Sequence, residues 1–211
     1  AAGASNTVIG SGSMQGDGTN KPSSSSNNTS IGVSAMKFTS GSQSSVAIGN
    51  GALAGASNNT SNYTVAIGYK AASGTTGTGN TSGDYNTAVG MFALQENQDG
   101  DNNTAVGRYA MYNTNPSTGA GENTGIGATA GYTNTTGVRN VWVGYRAGYN
   151  STTASNNVFI GRETAYTNTT GTSNVAVGMR AFYTNATGNN NVAIGNHALE
   201  TATEHKNVVL V

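Results

Sequence analysis

Residues 140–156 read NVWVGYRAGYNSTTASN, residues 157–173 read NVFIGRETAYTNTTGTS, and residues 174–190 read NVAVGMRAFYTNATGNN. The three segments are equal in length, and each begins with asparagine and reaches a glycine at its fifth position. The same pentapeptide recurs eleven times, with its glycine at Gly10, Gly32, Gly49, Gly68, Gly90, Gly107, Gly127, Gly144, Gly161, Gly178 and Gly195. Successive glycines keep a 17-residue spacing, which insertions lengthen in some repeats, so one unit fills nearly the whole chain. A fixed period of this kind indicates a repeat architecture.

Two columns of the repeat predict a short strand in each unit. Ile or Val precedes the glycine in every copy, and Val or Thr stands two residues earlier. These β-branched side chains share one face of a strand because side chains alternate with period two. We expect that face to be the core, with one buried column formed by Ile67, Val89, Ile126, Val143, Ile160, Val177 and Ile194. Alanine, three residues after the glycine in nine of eleven copies, predicts a second short strand after a glycine turn.

A single unit of this length cannot bury a face alone, but stacked units can. The sequence therefore predicts an all-β fold, a parallel β-solenoid of about eleven 17-residue coils. Residues 1–206 are expected to form a single repeat domain, and residues 207–211 an incomplete last coil or a cap.

Composition excludes several classes of function. Charged residues make up 9% of the chain and the net charge is zero, so there is no basic stripe for a nucleic-acid partner. The chain has no cysteine and two histidines, so we expect no cofactor and no metal site. No apolar run approaches the length of a membrane span, which argues against membrane insertion. The nine acidic residues form no convincing pair, so we expect no enzyme activity.

Asparagine opens nine of the eleven pentapeptides. Stacked in a solenoid, these amides are expected to form a structural hydrogen-bonded ladder. Its members in the regular part of the chain are Asn86, Asn103, Asn123, Asn140, Asn157, Asn174 and Asn191.

Tyrosine stands five residues after the glycine in five successive coils, at Tyr112, Tyr132, Tyr149, Tyr166 and Tyr183. Such a row is a candidate glycan-binding strip, because tyrosine rings stack on sugars while their hydroxyls form hydrogen bonds. The rings can equally stack on one another or fill a subunit interface, and the sequence leaves these alternatives open.

Two aromatic residues, Trp142 and Phe159, replace the small residue in the middle of adjacent strands. On the expected strand orientation they face away from the core, and we predict that they lie in a subunit interface. Each coil offers few apolar side chains for its surface, so we expect a homotrimer that buries these rings and the alanine column.

The repeat phrase resembles that of two related groups of proteins. Asn86-Thr-Ala-Val-Gly-Met-Phe-Ala-Leu94 and Asn103-Thr-Ala-Val-Gly-Arg-Tyr-Ala-Met111 are similar to the repeat of bacteriophage tail-fibre proteins. Asn191-Val-Ala-Ile-Gly195 resembles the head repeat of trimeric autotransporter adhesins, whose coil is shorter. The resemblance implies a left-handed β-roll that forms a homotrimer.

By this resemblance we expect a structural and receptor-binding fibre segment, extracellular on a virion surface, that binds a host cell-surface glycan or another host receptor. The alternative is the head of an adhesin on a bacterial cell surface. A third possibility is an ice-binding solenoid, because threonines recur in Thr133-Asn-Thr135 and Thr167-Asn-Thr169.

Overall fold

A computed structural model describes residues 5–16, 25–39, 41–55, 61–74, 83–97, 99–114, 121–201 and 209–210. Longer repeats carry extra residues that the sequence predicts to be loops, and most of these, at 17–24, 75–82 and 115–120, lie outside the described residues.

Each repeat contributes one three-residue strand, and a two-residue strand follows the last repeat. The strands are β1 (Thr7–Ile9), β2 (Thr29–Ile31), β3 (Val46–Ile48), β4 (Val65–Ile67), β5 (Thr87–Val89), β6 (Thr104–Val106), β7 (Thr124–Ile126), β8 (Val141–Val143), β9 (Val158–Ile160), β10 (Val175–Val177), β11 (Val192–Ile194) and β12 (Val209–Leu210). They form one sheet in chain order, β1 to β12. The described residues contain no helix, and the expected all-β parallel β-solenoid is confirmed.

Adjacent strands pair in parallel and in register, so each residue lies beside its counterpart one repeat away. Val141 pairs with Val158 and Val158 with Val175, and the same holds for the other positions of these strands. Insertions leave this register intact, since Thr104 pairs with Thr124 across a lengthened repeat. Equivalent residues of successive repeats therefore form columns, and each column lies either on the surface or in the core.

The second strand expected after each glycine is absent from the described repeats, where the chain instead runs through turns. The second and fourth residues after the glycine have positive φ, for example Arg146 (56°), Phe182 (60°) and Leu94 (51°). The backbone still bonds to the coils on both sides. Arg146 N–H donates to Ala128 O (3.1 Å), and Gly148 N–H donates to Thr164 O (2.9 Å). These bonds offset the strain of left-handed backbone.

The glycine that ends each strand has φ between 126° and 138°, a conformation available in practice only to glycine. A Cβ at Gly144 would also overlap the backbone carbonyl of Gly161 in the next coil. The glycine column is thus required by conformation and by the close approach of successive coils.

The structure reverses the expected inside and outside of the strand. The middle residue of each strand from β2 to β11 points inward and is buried, and Ala66, Ala88 and Ala176 are fully buried. The Ile/Val column lies on the outer face, where Ile126 is 41% and Ile194 is 40% exposed. The prediction that this column is buried in the solenoid core is therefore wrong for the single chain. The interior of one coil is narrow. Between its two walls, the strand and the turn after the glycine, there is room for the facing alanines and about one larger side chain.

Trp142 and Phe159 supply that larger side chain in their coils, and both are fully buried in the core of one chain. Their prediction as interface residues is wrong, because it rested on the reversed strand orientation. Other coils place a large residue on the opposite wall instead, as with Leu94, Met111 and Phe182.

Glycines accommodate the indole ring of Trp142. A Cβ at Gly131 would meet the six-membered ring of Trp142, and a Cβ at Gly148 would overlap its five-membered ring. Both glycines stand at the position that holds Leu94 in an earlier coil, so the ring occupies volume that the opposite wall fills elsewhere.

We expect Gly148→Ala to destabilise the protein by about 2–4 kcal/mol, since overpacking typically costs 1–3 kcal/mol and a left-handed alanine adds about 1. Gly74→Ala is the matched control. Gly74 has nearly the same φ (59° against 57°), but nothing lies near its added Cβ. Urea denaturation of both variants measures the difference. Equal losses would mean that Trp142 does not limit the space at Gly148.

Candidate binding surfaces

The five tyrosines predicted as a ladder do form one. Successive ring centroids from Tyr112 to Tyr183 are 5.4, 5.2, 5.2 and 5.3 Å apart, and interplanar angles are 12° or less. The aromatic contacts continue towards the N-terminus through Tyr109 and Phe92. Stacks of this spacing stabilise neighbouring coils, by about 0.5–1.5 kcal/mol for each pair beyond area burial.

Stacking covers the flat faces of the rings. Tyr132, Tyr149 and Tyr166 each have a ring on both sides, and the guanidinium of Arg180 lies 4.3 Å from the ring centroid of Tyr183. A sugar that packs on an aromatic ring needs an open face, and this ladder offers ring edges and hydroxyls instead. The geometry favours the structural alternative for the ladder over a row of glycan platforms.

Partial burial raises the pKa of the Tyr132 phenol, and the adjacent Tyr149 and Tyr109 phenols raise it further. Burial also raises the pKa of Tyr166, while nearby Arg146 opposes the shift. These phenols therefore remain neutral hydrogen-bonding groups well into alkaline solution.

The asparagine ladder is present and fully internal. Asn157 N–H donates to Oδ1 of Asn140 (3.0 Å), and Asn174 N–H donates to Oδ1 of Asn157 (2.9 Å). Most of these side-chain amides also donate across their own coil, as Asn140 Nδ2 does to Ala154 O (2.7 Å), whereas Asn103 Nδ2 has no partner among the described residues. Where the column holds Ser45 and Thr64, their hydroxyls accept the same backbone bond at 3.1 and 3.4 Å. Because the ladder is buried, it serves the solenoid and offers no surface to a ligand.

A second set of internal asparagines was not predicted from the sequence. Asn97, Asn134, Asn168 and Asn185 are fully buried seven residues after the glycine. Each donates to the carbonyl of a glycine three residues later, at 2.8 to 3.3 Å. The same glycine carbonyls accept from the main ladder. The spacing Asn-x-x-Gly, which recurs in these repeats, is the signal that could have identified this corner.

Threonine hydroxyls of the neighbouring corner bond within the chain. Thr135, Thr152 and Thr169 each donate to a backbone carbonyl one coil away, at 3.0 to 3.1 Å. Their donors are therefore engaged in the fold, which argues against the ice-binding alternative.

The outer face of the sheet carries exposed apolar side chains. Eleven Ile or Val side chains line it beside a Val/Thr column, and the exposed members include Ile48, Ile67, Ile126, Ile160 and Ile194. Exposed apolar residues directly after the glycines extend this surface around the glycine corner in five coils, at Val33, Tyr69, Met91, Tyr145 and Met179. The same position holds exposed Arg108 and Arg162 in two other coils. We call these two columns together the apolar strip. At about 4.8 Å per coil it is roughly 50 Å long.

The described residues contain no group of three or more His, Cys, Asp or Glu side chains placed to hold a metal ion. They also contain no helix long and apolar enough to cross a bilayer. The Asp101 carboxylate accepts a backbone hydrogen bond from Asp84 N–H (2.7 Å). Partial burial raises the pKa of Asp101, and the charges of Asp84 and Asp99 raise it further, while the hydrogen bond from Asp84 N–H opposes the shift.

Comparisons of the chain with protein-family models, with curated proteins and with solved structures found no match.

We expect Asn140→Ala to destabilise the protein by about 3 kcal/mol, because it leaves the Asn157 N–H and the Ala154 carbonyl buried without partners. Asn140→Ser should lose less, since serine carries the ladder at position 45. Asn196→Ala, at an exposed position, is the control and should change stability by less than about 0.5 kcal/mol. Thermal denaturation of the three variants tests this order, and an equal effect of Asn196→Ala would contradict it.

The raised phenol pKa values predict a loss of stability in alkali. Below the unfolded pKa of about 10, the tyrosines contribute their full stability, which declines as pH rises through the higher folded pKa. Tyr132→Phe should therefore lose less stability than the wild type between pH 9 and pH 11. Tyr145→Phe, an exposed residue outside the stack, should behave like the wild type. A Tyr132→Phe profile that falls as steeply as the wild type would contradict the argument.

Proposed function

We propose that this chain is a segment of a homotrimeric fibre on a virion, with a structural role and a receptor-binding role towards a host cell-surface glycan. The observation that carries the proposal is the apolar strip, which runs the length of a rod otherwise rich in Asn, Thr and Gly. A left-handed coil is part of the proposal and is supported by the resemblance of the repeat phrase to phage tail-fibre repeats.

The apolar strip requires a partner. Soluble monomers rarely expose a continuous apolar surface of this length, because it associates in water. Side chains on a parallel sheet face are also ordinarily covered, since parallel sheets occur almost only with both faces buried. A second and third copy of the chain supply matching strips of equal length.

Three copies fit better than two because the strip has two sides. The strand face lies on one side of the glycine corner, and the column of Val33, Tyr69, Met91, Tyr145 and Met179 lies on the other. In a closed trimer, each subunit uses one side against each neighbour, as a heterologous ring interface requires. A two-fold dimer needs only one self-complementary patch and leaves the other side exposed.

The receptor-binding role is supported by the surface left outside the strip. It is neutral, rich in hydroxyl and amide groups, and carries half-buried tyrosine edges with arginines beside them, such as Arg146 near Tyr149 (5.7 Å). Such groups bind hydroxyl-rich ligands weakly, and three equivalent sites on one fibre raise the avidity.

The proposal predicts that the wild type has three times the mass of the chain by light scattering. Ile126→Asp and Ile160→Asp should each weaken assembly by at least about 100-fold, since burying an unpaired charge costs several kcal/mol. Thr170→Asp, an exposed position outside the strip, is the control and should remain trimeric. A stable wild-type monomer would overturn the trimer, and a glycan array that detects no binding by the trimer would overturn the receptor role.

The head of a bacterial trimeric surface adhesin is the second candidate, favoured by Asn191-Val-Ala-Ile-Gly195. Both candidates require the trimer, so mass does not separate them. The full gene and its neighbours separate the two candidates, because an anchor domain downstream indicates an adhesin and neighbouring virion genes indicate a fibre.

A further inference from the structure

The tyrosine ladder begins at Tyr112, where the preceding coil carries Gln95, and a cleft lies along the two coils before that. At the ladder position these coils carry Ala54 and Ser73, with glycine one residue further on at Gly55 and Gly74. Small side chains leave a cleft of about 300 Å³ on the side of the rod where later coils stack their rings. This volume is at the lower end of small-molecule sites, which suits one or two sugar rings.

Two lysines give the cleft a positive charge. Lys37 and Lys70 both line it, and no acidic residue does. Their ammonium groups lie near aromatic rings, Lys37 at 4.7 Å from the ring centroid of Phe38 and Lys70 at 5.7 Å from that of Tyr69. Across the described residues, the ion pairs of this chain involve Arg139, Arg162, Arg180 and His197 rather than these two lysines. Both ammonium groups are therefore available to an anion.

The cleft also holds an unused hydrogen-bond acceptor. Oε1 of Gln95, a lining residue, is buried and has no hydrogen-bond partner among the described residues. A buried acceptor without a donor costs about 1–3 kcal/mol, and a turn of the Gln95 amide towards the cleft would let a ligand hydroxyl donate to it. The half-buried ring of Phe38 adds an apolar wall, one face of which the Lys37 ammonium covers.

We propose that the cleft between Lys37 and Lys70 binds a carboxylated sugar unit of a cell-surface glycan. The carboxylate bonds to the lysines, and hydroxyls donate to Gln95 and exchange bonds with Ser34 and Asn50 at the rim. The tyrosine strip and this cleft share one side of the rod, but the cleft, not the strip, selects the ligand. This inference rests on the proposed receptor role and names the chemistry that the receptor presents.

The first test measures binding of glucuronic acid and N-acetylneuraminic acid to the assembled protein by ligand-observed NMR, with glucose and acetate as controls. We expect at least one acidic sugar to bind and both controls to bind at least about tenfold more weakly, because each lacks one half of the recognised chemistry. The preferred acid identifies the source, a uronic-acid polymer or a sialylated glycan. Binding of glucose or acetate as tight as that of the acids would overturn the proposal.

The second test uses variants. Lys70→Gln should lower the affinity for the acidic sugar about tenfold, and Ser73→Tyr should abolish binding by placing the ladder residue of later coils in the cleft. Arg162→Gln is the matched control, since it removes an exposed positive charge in a distant coil. Lys70 is exposed, so Lys70→Gln keeps the test valid if Ser73→Tyr fails to fold. An equal loss in Arg162→Gln would mean that binding reflects general charge and would overturn the site.

A glycan array with the same variants distinguishes failure of the proposed cleft from failure of the proposed receptor role. If the trimer binds glycans and Lys70→Gln binds them equally well, the cleft is wrong and the receptor role stands. If the wild-type trimer binds no glycan at all, the receptor role fails together with the cleft.

Discussion

Backbone hydrogen bonds between successive coils are the interaction on which the rest of this structure depends. They run on both sides of the glycine, along the strand and through the turns, and they join residues one repeat apart. Because each coil bonds to the next in register, every side chain stacks on its counterpart. The internal asparagines continue this pattern into the core, where Asn140 accepts from one coil and donates across its own.

The in-register stacking also explains why the same position of the repeat has different roles in different coils. Trp142 fills a core that Gly131 and Gly148 leave open, while Phe182 fills its own coil from the opposite wall. At the ladder position, Tyr149 stacks on its neighbours, whereas Ala54 and Ser73 open the cleft. The regular members of a column are engaged in holding the coils together, so the proposed binding site lies where a column has exceptions.

In the proposed assembly, the apolar strip and the cleft are separate surfaces, one for contacts within the trimer and one for recognition of a ligand. The strip consists of β-branched, aromatic and methionine side chains on the strand face and around the glycine corner, where the exposed Arg108 and Arg162 interrupt the second column. The cleft lies in the second half of the repeat and is lined by two lysines and by amide and hydroxyl groups. A trimer built on the strip leaves three such clefts available along the fibre, which suits a receptor that is bound weakly at each site.

The sequence by itself determined the repeat, the parallel solenoid and the asparagine ladder, because each follows from a period that places like residues above one another. It placed the tyrosines in one row but left open whether their rings stack, bind a glycan or fill an interface. It did not determine which face of the strand is internal. The alternation of side chains defines two faces, and the prediction that the more hydrophobic face is internal was wrong. Only the tertiary structure shows that the coil is too narrow for two β-branched columns, so that alanine, Trp142 and Phe159 lie inside and Ile126 outside. The sequence also does not predict the left-handed backbone at residues such as Arg146 and Phe182, because these residue types do not favour it. Hydrogen bonds from neighbouring coils impose this conformation. The cleft arises where several small residues from different coils meet, and that meeting exists only once the coils are stacked.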